Sequence, residues 1–156
     1  MYRILSASKD TYITNKIINN KFRATDANLG QAGTLDLFKL YAESVSGSNK
    51  KPTELSRLLV DFDLSEVVDM HNKKIIDVGD SSFKAEFKLH DVYGGQTTPS
   101  NFKVIVFPLA QSFDEGPGFD VVNYADLGAA NFITASYPGV SQASQATATL
   151  TVDDGD

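Results

Sequence analysis

The sequence predicts an all-β fold, and three observations predict it. Apolar and polar residues alternate with a period of two in several short runs, turn-forming clusters separate those runs, and no run sustains a helical period. About eight short strands joined in this way imply a β-sandwich of jelly-roll or immunoglobulin-like topology, and pattern alone does not choose between the two.

The elements follow in chain order. Tyr2–Ala7 and Thr11–Thr14 read as short strands, and Leu35–Tyr41 as a third. In Leu58–Leu64, Leu58, Val60, Phe62 and Leu64 share one face while Asp61 and Asp63 take the other. Ser65–Met70 reads as a single helical turn capped by Ser65. Phe83–His90 is the clearest strand: Phe83, Ala85, Phe87 and Leu89 face one way, and Lys84, Glu86, Lys88 and His90 the other. Phe102–Phe107 is apolar on both faces except at Lys103, which predicts a central strand covered on both sides. Pro108 ends its ladder because it has no N–H to donate. Asn131–Ala135 is a further short strand. Ala146–Val152 sets Ala146, Ala148, Leu150 and Val152 against three threonines. Gly- and Pro-bearing loops fall at 44–52, 94–100 and 114–118. The expected organisation is one sandwich over 1–136, then a polar linker and one final strand over 137–156.

Composition narrows the function classes. The chain of 156 residues has 14 Lys and Arg against 20 Asp and Glu, for a net charge of −6, which is a poor match to nucleic acid. All the bases lie in 1–103, and from residue 104 onward there are acids alone, from Asp114 to Asp156. Cysteine is absent, so there is no disulfide framework, thiolate metal site or cysteine nucleophile. No signal-peptide core or membrane-spanning run is visible, so the expectation is a soluble chain made in the cytosol, with no membrane partner.

Three groups of residues carry a resemblance. The first is Asp10-Thr11-Tyr12, followed by Asn28-Leu29-Gly30 and Thr34-Leu35-Asp36-Leu37. The second is Arg57-Leu58-Leu59-Val60-Asp61-Phe62-Asp63-Leu64. The third is Phe113-Asp114-Glu115-Gly116-Pro117-Gly118, then Asp126-Leu127-Gly128 and Asn131-Phe132. Their order and spacing resemble the DNRLRE-type domains, which are jelly-roll sandwiches similar to carbohydrate-binding modules. Phe113 and Phe132 stand where that family has tryptophan, so the packing is kept and the indole N–H is lost. The run from Met1 to Ile18 also resembles the N-terminus of virion structural proteins of tailed bacteriophages, especially marine T-even-like ones. The resemblance fades near residue 135, where the family continues with further strands. The expectation is therefore a sandwich incomplete at its C-terminus, completed by missing strands or by a neighbouring chain.

The resemblance implies a virion structural component that assembles through protein–protein contacts, as a homo-oligomer and not an enzyme. It would serve as an assembly or anchoring module of a tail, baseplate or fibre protein. A glycan-binding module and a capsid decoration protein are the alternatives. No catalytic residue is expected: His71 and His90 lack any flanking motif, and Asp61 with Asp63 reads as a solvated strand face. The candidate interface residues are Tyr2 and Ile4 at one end of the chain and Ala148, Leu150 and Val152 at the other. Tyr93 and Tyr124 are the candidate glycan contacts, because they sit in loops. Jelly-roll modules often hold a structural calcium, and Asp114, Glu115 and Asp120 are the candidate ligands for one.

Overall fold

The computed structural model describes residues 2–41, 52–90, 92, 103–125 and 128–135. Its secondary structure is mostly β, in two antiparallel sheets with one short helix. The chain divides into two compact units, Met1–Ser6 with Phe62–Pro108, and Ala7–Asp61 with Leu109–Asp156.

The larger unit contains β1 (Ala7–Thr14), β2 (Ile17–Ile18), β3 (Phe22–Arg23), β4 (Lys39–Tyr41) and β5 (Pro52–Phe62) as far as Asp61. A three-stranded sheet runs in the order β1-β5-β4, with the long β5 at its centre. β1 lies antiparallel to β5. The Ser8 hydroxyl donates to the Asp61 carbonyl at 3.1 Å at one end, and the Thr14 hydroxyl to the Leu55 carbonyl at 3.0 Å at the other. Asn15 extends the ladder past the strand: its Oδ1 accepts the Leu55 N–H at 2.8 Å. β2 and β3 form a ribbon, Ile17 opposite Arg23 and Ile18 opposite Phe22. Its turn uses Asn19 and Asn20 at φ 51 and 54, the left-handed region that asparagine tolerates best after glycine. Arg23 ties the ribbon to β5 by donating to the Thr53 carbonyl at 2.6 Å.

β1 is exposed over Ala7–Lys9 and buried from Thr11 to Thr14. Ile13, Leu59, Phe113 and Ala130 form the core, with Phe132 and Ala135 packed against it. Tyr12 is also buried, and its hydroxyl donates to Asp36 Oδ2 at 3.5 Å. Burial first, then the Asp36 charge and this hydrogen bond, push the phenol pKa up to about 12. An unfolded tyrosine titrates near ~10, so the folded state holds its proton more tightly. The stability this adds is whole below about pH 10 and is lost as pH rises from about 10 to 12. Alkaline titration of tyrosinate absorbance should show one late phenol that Tyr12→Phe removes. A late step that survives Tyr12→Phe would contradict the assignment.

In the smaller unit, Phe62 precedes α1 (Ser65–Asn72), whose buried residue is Met70. The expected turn is thus a helix of eight residues. Ser65 is not its cap: the N-cap is Leu64, with no side-chain cap bond. Asp63 Oδ1 instead accepts the Ser65 N–H at 2.9 Å, and that bond holds the Asp63 carboxyl below the usual carboxylate range. At the other end, Lys74 takes φ 56 while the Ile75 N–H reaches the Met70 carbonyl and the Lys74 N–H the His71 carbonyl. This is a Schellman ending with lysine where glycine is the usual residue. Lys74→Gly should raise stability by about 0.5–1 kcal/mol, read as a higher urea midpoint; a lowered midpoint would show that the lysine stem packs usefully there.

Five expected strands need correction. Residues 2–6 carry no strand, and β1 begins at Ala7. Of Leu35–Tyr41, only Lys39–Tyr41 is strand, against Pro52–Leu55 of β5, with Phe38 bonded to Ser56 just before it. Phe83–His90 and the described part of Phe102–Phe107 make no ladder; Phe87 is 45% exposed and Ile105 71%. Alternation specifies which side of a strand is apolar but not which strand covers it. Asn131–Ala135 is a turn, because the Asn131 Oδ1 accepts the Ile133 and Thr134 N–H groups at 2.9 and 3.0 Å and so competes with a ladder. The expected strand at Ala146–Val152 and the boundary after residue 136 lie outside the described residues.

Candidate functional site

Most of the residues that carry the resemblance lie in the larger unit; Phe62, Asp63 and Leu64 belong to the smaller one, and Asp126 and Leu127 lie outside the described residues. Asn28 stands at the centre of those in the larger unit and is fully buried. Its Nδ2 donates to the Glu115 carbonyl at 2.8 Å and to the Ala130 carbonyl at 2.9 Å. Its Oδ1 accepts the Gly118 N–H at 2.7 Å and, more weakly, the Gly30 N–H at 3.5 Å. Two carbonyls on one side and two N–H groups on the other fix the orientation of the amide, and no other side chain of this size offers two donors and an acceptor. The backbone joins in: Asn28 N–H donates to the Tyr124 carbonyl at 2.9 Å, and Gln31 N–H to the Gly118 carbonyl at 2.8 Å. Ala27 and Ala125 form an isolated antiparallel bridge alongside. One buried side chain thus clamps three loops, 28–31, 115–118 and 129–131.

The glycines of these loops are there for space. A Cβ on Gly118 would collide with the Asn28 carbonyl, and one on Gly30 with the Glu115 carbonyl. Gly116 has φ +74 and would meet the Ala129 side chain. The tight approach of backbones buries the amide fully, and no buried side-chain nitrogen or oxygen among the described residues lacks a partner.

The acidic residues of the turn are held by the backbone. Glu115 Oε1 accepts the Asp10 N–H of β1 at 2.9 Å. Asp120 Oδ1 accepts the Val122 and Asn123 N–H groups at 2.8 and 2.7 Å. The Asn123 N–H foremost holds the Asp120 carboxyl below its ordinary range. The Asp114 backbone bonds Ala135 and Ala130. Among the described residues no three His, Cys, Asp or Glu side chains group so as to hold a metal ion. Asp114, Glu115 and Asp120, the expected calcium ligands, are thus not gathered as a set of three, and the carboxylates of Glu115 and Asp120 accept backbone N–H groups.

The other sequence candidates separate. Tyr2 and Ile4 are 76% and 78% exposed. Tyr124 is half-buried, its ring edge-on to Phe119 at 5.6 Å, and Phe119 itself is exposed. Phe119 was not among the sequence candidates, and only its place after the Gly-Pro-Gly turn signalled it. Tyr93, Ala148, Leu150 and Val152 lie outside the described residues. His71 and His90 are exposed, and Asp63 lies beyond the end of β5, so Asp61 and Asp63 are not neighbours on one strand face.

Beside the core is an apolar cavity of about 230 Å³, walled by Ile13, Leu59, Leu109, Phe113, Phe132 and Ala135 with a few polar groups. The Arg57 guanidinium stands 5.1 Å from the centre of the Phe132 ring, a cation–π contact that holds that wall. Such a lining suits an apolar group rather than a sugar. No described helix is long and apolar enough to cross a membrane. Set against protein-family models, curated proteins and solved structures, the chain matches none of them.

Proposed function

We propose that this chain is a structural component of a tailed-phage virion. It is a jelly-roll-like β-sandwich that serves as an assembly or anchoring module of a tail, baseplate or fibre protein. It works by protein–protein contact and not by catalysis. The observation that carries the reading is the Asn28 clamp. The Asn-Leu-Gly and Glu-Gly-Pro-Gly turns that resemble the DNRLRE-type pattern are 90 residues apart in sequence, and they are held together by one buried amide. That is the arrangement expected if those motifs specify a fold rather than a reaction. The virion context rests on the resemblance of residues 1–18. The exposure of Tyr2 and Ile4 supports the N-terminal end as a contact surface.

Deleting Tyr2–Ile4, or Ala146–Val152, should yield particles without this chain, read by mass spectrometry of purified virions. Particles that keep their full complement of either deletion would refute the contact role. Recovery on the capsid shell would make the chain a decoration protein instead. The Phe119–Tyr124 pair favours one second reading, a glycan-binding module, since paired aromatic rings at a loop are a platform for sugar stacking. A glycan array would support it if binding appears and weakens in Tyr124→Ala, and would remove it if the intact chain binds nothing.

A further inference from the structure

We infer that residues 83–87 form a pairing edge for a second copy of this chain, by antiparallel addition of the same segment. The inference rests on the reading of the chain as a contact-making structural module. In the smaller unit no backbone hydrogen bond joins residues 84–90 to another described residue, and all of Phe83–His90 are exposed. The period of two nonetheless persists. Glu86 and Lys88 form an ion pair at 3.5 Å, which side chains two apart make only when they share a side. Phe87 turns against Phe62, ring edge to ring face at 6.0 Å. The segment therefore has one apolar side and one charged side, and no described residue pairs with its backbone donors and acceptors over 84–90, which is the arrangement that strand addition uses.

Charge selects the occupant. Placing Ala85 opposite Ala85 of the second copy, on the two-fold axis, sets Lys84 opposite Glu86 twice and Phe83 opposite Phe87 twice. Opposite charges and aromatic pairs then meet at every position around a small central residue. Shifting the register so that Glu86 faces itself also sets Lys84 against Lys88, which is repulsive. The other register that brings unlike charges together, with Phe87 on the axis, sets Lys84 against His90 and loses the Phe83–Phe87 pair. Residues 103–107 are more exposed in part, but Lys103 is their one charge and chooses no partner.

Sedimentation of the full chain tests this. A two-stranded ribbon associates weakly, so the concentration series should reach about 1 mM. The intact chain should dimerise, more weakly at high salt. Glu86→Lys should raise the dissociation constant about tenfold or more. Lys84→Glu combined with Glu86→Lys should restore dimerisation, although it leaves the bond to Lys88 within the chain broken. Circular dichroism of each variant confirms folding. Rescue separates pairing between copies from a role within one chain, and it fails in the register centred on Phe87. A monomer throughout, or a double variant as weak as Glu86→Lys, overturns the inference. A chain found in particles yet monomeric in solution overturns this pairing and leaves the virion reading standing, while a dimer absent from particles does the reverse.

Discussion

Asn28→Ala is expected to remove roughly 3–6 kcal/mol of stability, a large part of the ~5–15 kcal/mol that holds a domain of this size. Truncation leaves the Glu115 and Ala130 carbonyls and the Gly118 N–H without partners in a buried site, because their bonds at 2.8, 2.9 and 2.7 Å all end on this side chain. Each orphaned group costs about 1–3 kcal/mol, and the small void left behind adds to the loss. Asn28→Asp sharpens the test. The introduced carboxylate has no donor for the two carbonyls, so its charge faces two negative oxygen ends. The folded state then disfavours ionisation, and the introduced group's folded pKa lies above its unfolded one. Its contribution to stability is most favourable in acid and falls as pH rises through that interval. Asn28→Asp should therefore be closer to the intact chain at pH 4 than at pH 7, both values read from denaturant midpoints. Equal losses at the two pH values would mean that the amide's donors are not what matters.

Gly118→Ala is the second large effect, with about 3 kcal/mol lost. The added methyl has no room, since it points at the Asn28 carbonyl and side-chain oxygen, which are themselves fixed by the clamp. Gly33→Ala is the control: a Cβ there meets nothing within 4 Å. It should be neutral or stabilising by a few tenths of a kcal/mol, through the unfolded chain. If both substitutions cost the same, crowding at the clamp is not the cause.

What sequence could and could not say divides along physical lines. The Asn28-Leu29-Gly30 and Glu115-Gly116-Pro117-Gly118 turns were legible because close backbone approach admits only glycine, and glycine leaves a visible signature. That the two meet was not read from the sequence, since nothing local encodes a contact spanning 90 residues. β5 was found in the run Leu58–Leu64, but it ends at Phe62 and its core residue is Leu59, on the side opposite the expected Leu58, Val60 and Phe62. Its first half, including Thr53 and Glu54, was missed because it pairs through backbone groups and polar side chains. The β2-β3 ribbon was missed for a different reason: its turn is Asn-Asn rather than Asn-Gly. The carboxylates of Glu115 and Asp120 accept backbone N–H groups, a use that composition does not distinguish from cation binding. The apolar residues of Phe83–Leu89 alternate as a strand does, yet alternation carries no address for the partner.

The central claim is that the Asn28-clamped fold is a building block of a virion, and its most direct test is the position of this chain in an intact particle. Electron cryo-microscopy of purified virions should place density for residues 7–61 and 109–135 in the tail, baseplate or fibre, with the loops around Asn28 ordered and the N-terminal end against a neighbouring subunit. Particles complete at that resolution, with no density and no peptides from this chain, would contradict the account.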